Sequence, residues 1–145
     1  MQAGARIRLC KGAYKEPENI AFPHKTDVDE NFDLLVKMMY EGCQENGVPV
    51  ISKDGKIPPI PAIASHDDER INYAKRLLEE KGLPIGAIEF QMLHGIRRDL
   101  QESLSQEGYP VRVYVPYGSE WYPYFTRRLA ERPANLWFFV SNLFK

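Results

Sequence analysis

Polar side chains near the carboxyl end of the chain are spaced so that one face of a helix would carry all of them. The spacing i, i+3, i+4 and i+7 groups side chains on one side of a helix. Two adjacent arginines can bind a carboxylate through paired hydrogen bonds, and a glutamate one turn further on can hold a cation. The group could bind an amino-acid zwitterion, with a tyrosine against its aliphatic part, or it could be a solvated face with an ordinary Arg–Glu pair. Its members are Tyr124, Arg127, Arg128 and Glu131.

A second group of residues lies within or just after four short apolar segments, residues 6–10, 61–66, 88–93 and 111–116. If these segments are parallel strands, their carboxyl ends form the edge at which α/β folds bind their ligands. The group consists of Arg8, Lys11, Gly12, Ala13, Ser65, His66, Glu89, Gln91 and Tyr114.

Several of these residues allow more than one interpretation. Lys11 and Gly12 are weakly typical of a phosphate-binding loop, because glycine lets the backbone approach closely and lysine adds charge. His66 could act as a base or as a metal ligand, but no second His or Cys stands at ligand spacing, so no metal site is predicted. Arg8 and Glu89 need partners inside a buried strand, and either a structural ion pair or a ligand could supply them.

Helical segments separate the four apolar segments. Strands that alternate with helices predict parallel βα units, and strands with little polar alternation are typical of sheets covered on both faces. Asp27 is expected to cap the first helix and Gly47 to end it. Four such units make half of a (βα)8 barrel or a small open sheet, with helices on one side. The predicted helices span residues 28–45, 67–81, 97–106 and 120–132, and a helical tail is expected over 136–144.

The bulk properties restrict the class of protein. The chain has 145 residues, 43% of them hydrophobic, and a formal net charge of −1. A net charge this close to zero argues against a surface that binds nucleic acid or an anionic membrane through bulk charge. The apolar runs are too short to cross a bilayer, and Cys10 and Cys43 are expected to be free thiols in a reducing cytoplasm. We therefore expect a cytoplasmic protein whose residues 1–145 form one partial domain.

Four segments of the sequence resemble proline dehydrogenase, and specifically its monofunctional bacterial type. They are RLCKGAYKEP, IASHD, EFQMLHGIRRDLQ and VRVYVPYGSEWYPYFTRRLAERPANLWF, in the family's order between residues 6 and 144. The resemblance implies the C-terminal half of a TIM-type (βα)8 barrel, with four parallel βα units, a C-terminal helical tail and FAD at the carboxyl ends of the strands.

The resemblance also implies roles for individual residues. Arg8 would lie beside the flavin ring as the catalytic residue, and it would cluster with Lys11, His66 and Gln91 on one rim. The residues implied in cofactor binding are Arg8, Lys11, Gly12, Ala13, Ser65, His66 and Gln91. The implied proline pocket consists of Tyr114, Tyr124, Arg127, Arg128 and Glu131, with the arginine pair on the carboxylate.

The implied activity is FAD-dependent oxidation of L-proline to 1-pyrroline-5-carboxylate, with electrons passed to a quinone and peripheral contact with the inner membrane. A 145-residue chain is short for a complete barrel, so we expect a fragment that self-associates through open sheet edges. A non-catalytic truncated half-barrel and a different barrel enzyme for an amino-acid or phosphate ligand are the alternatives. In a half-barrel, the apolar strand residues are expected to be partly exposed or to pack on a second copy of the chain; they are Ile7, Leu9, Ile63, Phe90, Leu93, Val113 and Val115.

Overall fold

The computed structural model describes residues 6–12, 16–47, 50–56 and 61–119, and within them it contains one four-stranded sheet. All neighbouring strands are parallel, and their order in the sheet is their order in the chain. This confirms the predicted parallel units. The strands are β1 (Ile7–Cys10), β2 (Pro61–Ala64), β3 (Glu89–Leu93) and β4 (Val111–Tyr114).

The helices connect these strands as expected and differ from the prediction mainly at their first turns. They are α1 (Lys25–Asn46), α2 (Asp68–Glu80) and α3 (Arg98–Gln106), with a short 3₁₀ helix at Ile85–Ala87 that was not predicted.

The predicted cap of α1 is wrong. His24 occupies the N-cap position without a side-chain hydrogen bond, and Asp27 lies inside the first turn. An acid there is still favourable, because the helix dipole is positive at this end. Gly47 ends the helix as predicted, at a φ of 89° that favours glycine.

The start of α2 follows the sequence closely. Asp67 is its N-cap, and its side chain accepts a hydrogen bond of 3.0 Å from the backbone N–H of Glu69. Asp68 and Glu69 occupy the first turn, where the dipole favours acids. Gly82 follows the helix with a φ of 63°. The cap fixes Asp67 at the carboxyl edge of the sheet, where its side chain contacts Lys11, the residue after β1.

The hydrophobic core lies between one face of the sheet and the three described helices. Ile63 and Phe90 are 0% exposed, so the expected exposure of these two strand residues is wrong. They point toward the helices and are covered by them; Ile7 and Leu9 at the β1 edge are only partly covered. The core members are Phe32, Val36, Met39, Tyr40, Ile63, Ile71, Ala74, Leu77, Leu78, Ile88, Phe90, Met92, Leu104 and Tyr109.

The predicted last helix, residues 120–132, and the tail over 136–144 lie outside the described residues. The described part is an α/β unit with helices on one side of a parallel sheet, and this agrees with the predicted barrel segment.

Candidate functional site

The face of the sheet opposite the described helices is polar. Side chains alternate between the two faces of a strand, and Ile63 and Phe90 face the core. The neighbouring positions in each strand therefore face the other way. The register aligns them across the strands, for example Cys10 with Ala64, Ala64 with Gln91, and Gln91 with Arg112. We call this surface the open face; its residues are Arg8, Cys10, Ala62, Ala64, Glu89, Gln91, Leu93, Arg112 and Tyr114.

Arg8 is the one open-face cation that the described part of the chain leaves without a hydrogen bond or an ion pair. It is exposed and lies beside Ala62 in the adjacent strand. A guanidinium offers five donors in a plane and is charged at every physiological pH. Its neighbours in the adjacent strand, at positions 62 and 64, are small alanines, and the exposed guanidinium can contact a flat anionic or electron-rich ligand.

Glu89 is buried at 1% exposure on the open face and has a guanidinium partner. Arg112 donates to it twice, from Nε to Oε1 at 2.8 Å and from Nη2 to Oε2 at 2.8 Å. The Gln91 Nε2 atom donates to the same Oε1 at 2.7 Å. Arg112 also reaches the carbonyl oxygen of Gly55 at 3.1 Å, which fastens the segment before β2 to this end of the sheet. The sequence left open whether a structural ion pair or a ligand supplies the partner of Glu89. The structure contains the ion pair, and the partner is Arg112.

Lys11 lies at the carboxyl end of β1, but its side chain points toward the helices. Its Nζ contacts Asp29 and lies 2.6 Å from Asp67 Oδ2, and it is 5.9 Å from the centre of the Phe32 ring. The Lys11 side chain is 13% exposed. Its charge is therefore neutralised by two carboxylates, and Gly12 is the exposed neighbour on the open side.

Asp29 is the centre of this ion-pair cluster. Burial would raise its pKa, but hydrogen bonds from Lys11 and Lys25 outweigh that effect and lower the pKa to about 2. Arg70 adds a longer contact, with Nη1 at 3.6 Å from Asp29 Oδ2. For Asp67, the hydrogen bond from Lys11 likewise overcomes burial and lowers the pKa. Both carboxylates are therefore charged at neutral pH, which keeps Lys11 in place.

Ser65 and His66 follow β2 and have partners within the chain. Ser65 is 7% exposed, and its Oγ accepts a 3.1 Å hydrogen bond from the backbone N–H of Asp67. His66 Nε2 accepts a 3.0 Å bond from the backbone N–H of Leu93, at the end of β3. An accepting Nε2 leaves the ring proton on Nδ1 in the neutral imidazole.

Arg97 joins the first turn of α2 to the first turn of α3, next to His66. It donates to Asp68 from both terminal nitrogens, at 2.8 Å and 2.9 Å, and to Asp99 at 2.9 Å. These bonds raise the pKa of Arg97. Its φ is 51°, in the left-handed region, and Arg97 is the one described residue other than glycine with a positive φ. The side-chain bonds thus hold a backbone conformation that is unfavourable for arginine.

The structure brings part of the predicted group together. Arg8 and Gln91 share the open face, and Tyr114 lies at its β4 end with 53% of its surface exposed. Lys11, Ser65 and His66 lie at the same carboxyl edge, but Lys11 and Ser65 point to the helix side. The remaining predicted site residues fall outside the described residues; they are Ala13, Tyr124, Arg127, Arg128 and Glu131.

Two residues that matter for the site were not singled out from the sequence. Arg112 stands two positions before Tyr114, so strand alternation puts both on one face and could have identified it. Asp29 gave no usable signal, because an acid early in a helix is common and its buried lysine partner is eighteen positions away.

Neither a metal site nor a membrane span is found in the described ranges. No three His, Cys, Asp or Glu side chains there converge as metal ligands. None of the helices in the same ranges combines the length and the apolar character needed to cross a membrane.

A family model described as Proline dehydrogenase matches residues 1–140. The chain is 46% identical to Proline dehydrogenase 2 of Bacillus subtilis (strain 168) over 140 residues, which cover 96% of this chain and 41% of the relative. It is 45% identical to Proline dehydrogenase of Deinococcus radiodurans over 140 residues, 96% of this chain and 40% of the relative. The chain therefore spans about two fifths of the length of these relatives.

The fold also matches a solved structure, that of proline utilization A from Bdellovibrio bacteriovorus inactivated by N-propargylglycine. The TM-score is 0.68 at 29% identity, and the match covers 84% of this chain and 13% of the other. The four parallel strands thus form part of a TIM-type barrel, as the sequence predicts.

Proposed function

The chain belongs to the proline dehydrogenase family, and we propose that it forms the C-terminal half of a barrel that oxidises L-proline to 1-pyrroline-5-carboxylate with FAD. In this proposal residues 1–145 are one partial domain, and the other half of the barrel covers the open face. Relatives that are more than twice as long support this assignment.

The observation that carries the proposal is Arg8 on the open face. It is exposed, it has no partner among the described residues, and it lies beside two small alanines and on the same face as Gln91. This arrangement fits a flat ring that accepts hydrogen bonds and negative charge, and an isoalloxazine has both properties. A cation held next to such a ring stabilises the charge that the ring gains on reduction.

The rest of the cofactor would follow the carboxyl edge. We place Gly12, Ala13 and the backbone of Lys11 beside it, because the Lys11 ammonium is held by Asp29 and Asp67. Ser65 would support this edge by fixing the turn after β2, and His66 would lie beside the cofactor while its Nε2 holds β3.

Proline oxidation removes a hydride from C5 and a proton from the ring nitrogen, and bound FAD supplies the hydride acceptor. The pocket residues would orient the substrate for this step. In this proposal the Arg127 and Arg128 pair holds the carboxylate of proline and Glu131 holds one of the arginines. Tyr114 and Tyr124 contact the ring.

We further propose a quinone as the final electron acceptor and a cytoplasmic location peripheral to the inner membrane. These two proposals rest on the family resemblance.

The test is a titration with FAD of a complete barrel that carries this sequence as its C-terminal half, monitored by the quenching of flavin fluorescence. We expect Arg8→Met to weaken FAD binding by about tenfold or more, because a charged hydrogen-bond donor is lost. Arg76→Met, on the exposed side of α2, is the matched control and should leave binding unchanged. A wild-type barrel that binds no FAD, or an Arg8→Met variant that binds it equally well, would contradict the proposal.

A further inference from the structure

The amide of Gln91 is held in one orientation by a buried carboxylate. Gln91 Nε2 lies 2.7 Å from Glu89 Oε1. The Glu89 oxygens can only accept hydrogen bonds, because the carboxylate is paired with the Arg112 guanidinium through two bonds of 2.8 Å. Gln91 must therefore turn its NH2 group toward Glu89, and its carbonyl oxygen is directed away from it.

This orientation decides what Gln91 can recognise. Glu89 precedes Gln91 by two positions in β3, so it lies on the same face and closer to the amino end of the strand. The Gln91 carbonyl oxygen is then available on the open face, and in the register Gln91 lies between Ala64 and Arg112. An amide that was free to rotate could donate or accept, whereas this amide offers an acceptor.

We propose that Glu89, clamped by Arg112, is a positioning residue that fixes the Gln91 carbonyl oxygen on the open face, so that Gln91 binds the cofactor as a hydrogen-bond acceptor. The ligand group it selects is a donor, such as a ring imide N–H or a hydroxyl of the cofactor's sugar chain. This inference rests on the proposed FAD site, and it assigns Glu89 and Arg112 a part in that site although the carboxylate is too buried to touch a ligand.

The arrangement also explains why a charge is kept inside the sheet. A buried carboxylate costs free energy unless it is paired and hydrogen-bonded. Glu89 has three bonds, and Arg112 remains 44% exposed so that part of its guanidinium stays in water. A neutral side chain at position 89 could both donate and accept, and it would leave the orientation of the Gln91 amide undetermined.

A double-mutant cycle with FAD affinity as the readout tests this coupling. Glu89→Gln and Gln91→Leu should each weaken FAD binding by about 3- to 10-fold, the range for one hydrogen bond. The double variant should be no weaker than Gln91→Leu alone, because Glu89 acts through Gln91. Glu107→Gln is the matched control, since Glu107 is also part of an ion pair, in its case with Lys75, but lies beyond α3. Independent, multiplying losses in the double variant would overturn the proposal.

A second measurement needs no cofactor. The side-chain NH2 signal of Gln91 in a ¹H–¹⁵N spectrum is identified by its loss in Gln91→Leu, and it should shift in Glu89→Gln and stay in place in Glu107→Gln. An unchanged signal in Glu89→Gln overturns the positioning role even if FAD binds. Absence of FAD binding by the complete wild-type barrel overturns the ligand assignment together with the proposed function. If Glu89→Gln does not fold, Glu89→Asp keeps the charge but withdraws the oxygen that Gln91 shares with Arg112, and it is used in the same cycle.

Discussion

Lys11 and Asp67 join the end of the first strand to the cap of the second helix, with Lys11 Nζ 2.6 Å from Asp67 Oδ2. Lys11 also contacts Asp29, so one ammonium neutralises two carboxylates that lie largely out of water. This pairing makes the lysine a structural cation as well as a neighbour of the candidate site.

Replacing Lys11 should therefore destabilise the fold. We expect Lys11→Met to lower the free energy of unfolding by about 3 kcal/mol, since it leaves buried carboxylates without their cation. Lys25→Met is the matched control: Lys25 contacts the same Asp29 but its side chain is 76% exposed, and the loss should be much smaller. Urea unfolding, monitored by circular dichroism, measures the free energy of unfolding of both variants. Equal losses would mean that burial of the lysine does not decide its contribution.

Asp29 should make the stability depend on acid pH. Its folded-state pKa, about 2, is below its ordinary value of 3.8. The contribution of the carboxylate is therefore complete above about pH 4 and is lost as the pH falls through about 2. The free energy of unfolding should fall more steeply across this window in the wild type than in Asp29→Asn. Parallel curves for the two proteins would show that the Asp29 cluster does not lower this pKa.

Arg97 offers a test of backbone strain. Arg97→Ala and Arg97→Gly both remove the bonds to Asp68 and Asp99, but only alanine keeps a Cβ at a φ of 51°. We expect Arg97→Gly to be the more stable of the two by about 1 kcal/mol, the lower end of the cost of a left-handed residue. Thermal unfolding of the two variants gives the comparison. An alanine variant as stable as the glycine variant would mean that the loop relaxes when the bonds are removed.

The proposed carboxylate pair predicts a specific kinetic change. In a proline dehydrogenase that carries this sequence within a complete barrel, Arg127→Met should raise KM for proline by about 10- to 150-fold, as expected for a lost charged hydrogen bond. Arg98→Met, on the exposed first turn of α3, should leave KM unchanged. Steady-state rates at varied proline concentration provide the measurement. A KM unchanged in Arg127→Met would indicate that the arginine pair is only a surface feature.

Self-association is the expected behaviour of the 145-residue chain. Beside the edge strand β1 lies an apolar groove of about 520 Å³, lined in part by Leu9, Leu35 and Met38. Met38 is 55% exposed, and unpaired sheet edges favour association. Met38→Lys should shift sedimentation velocity toward the monomer, whereas Ile85→Lys, at a separate exposed position, should not. A wild-type chain that is already monomeric at high concentration would disprove the expectation.

The elements were predictable because their signals are local. Apolar runs bounded by turn residues identify the strands, and the glycines at positions 47 and 82 mark where two helices end. The early start of α1 was missed because His24 makes no side-chain cap and leaves no signature in the sequence.

The site was predictable only in part, because side-chain partners depend on strand register. The bond between Glu89 and Arg112 joins residues of two strands that are 23 positions apart. The orientation of Lys11 was partly readable, however. Lys11 and Arg8 are three positions apart, and an odd separation along extended chain places side chains on opposite faces.

The order of the strands in the sheet has a consequence for synthesis of the protein. Each described strand after β1 pairs with the strand made immediately before it, so its partner is already present when it emerges. Chains generally fold from the amino end as they leave the ribosome. The sheet can therefore grow by one βα unit at a time during translation, and the polar open face is complete once β4 has emerged.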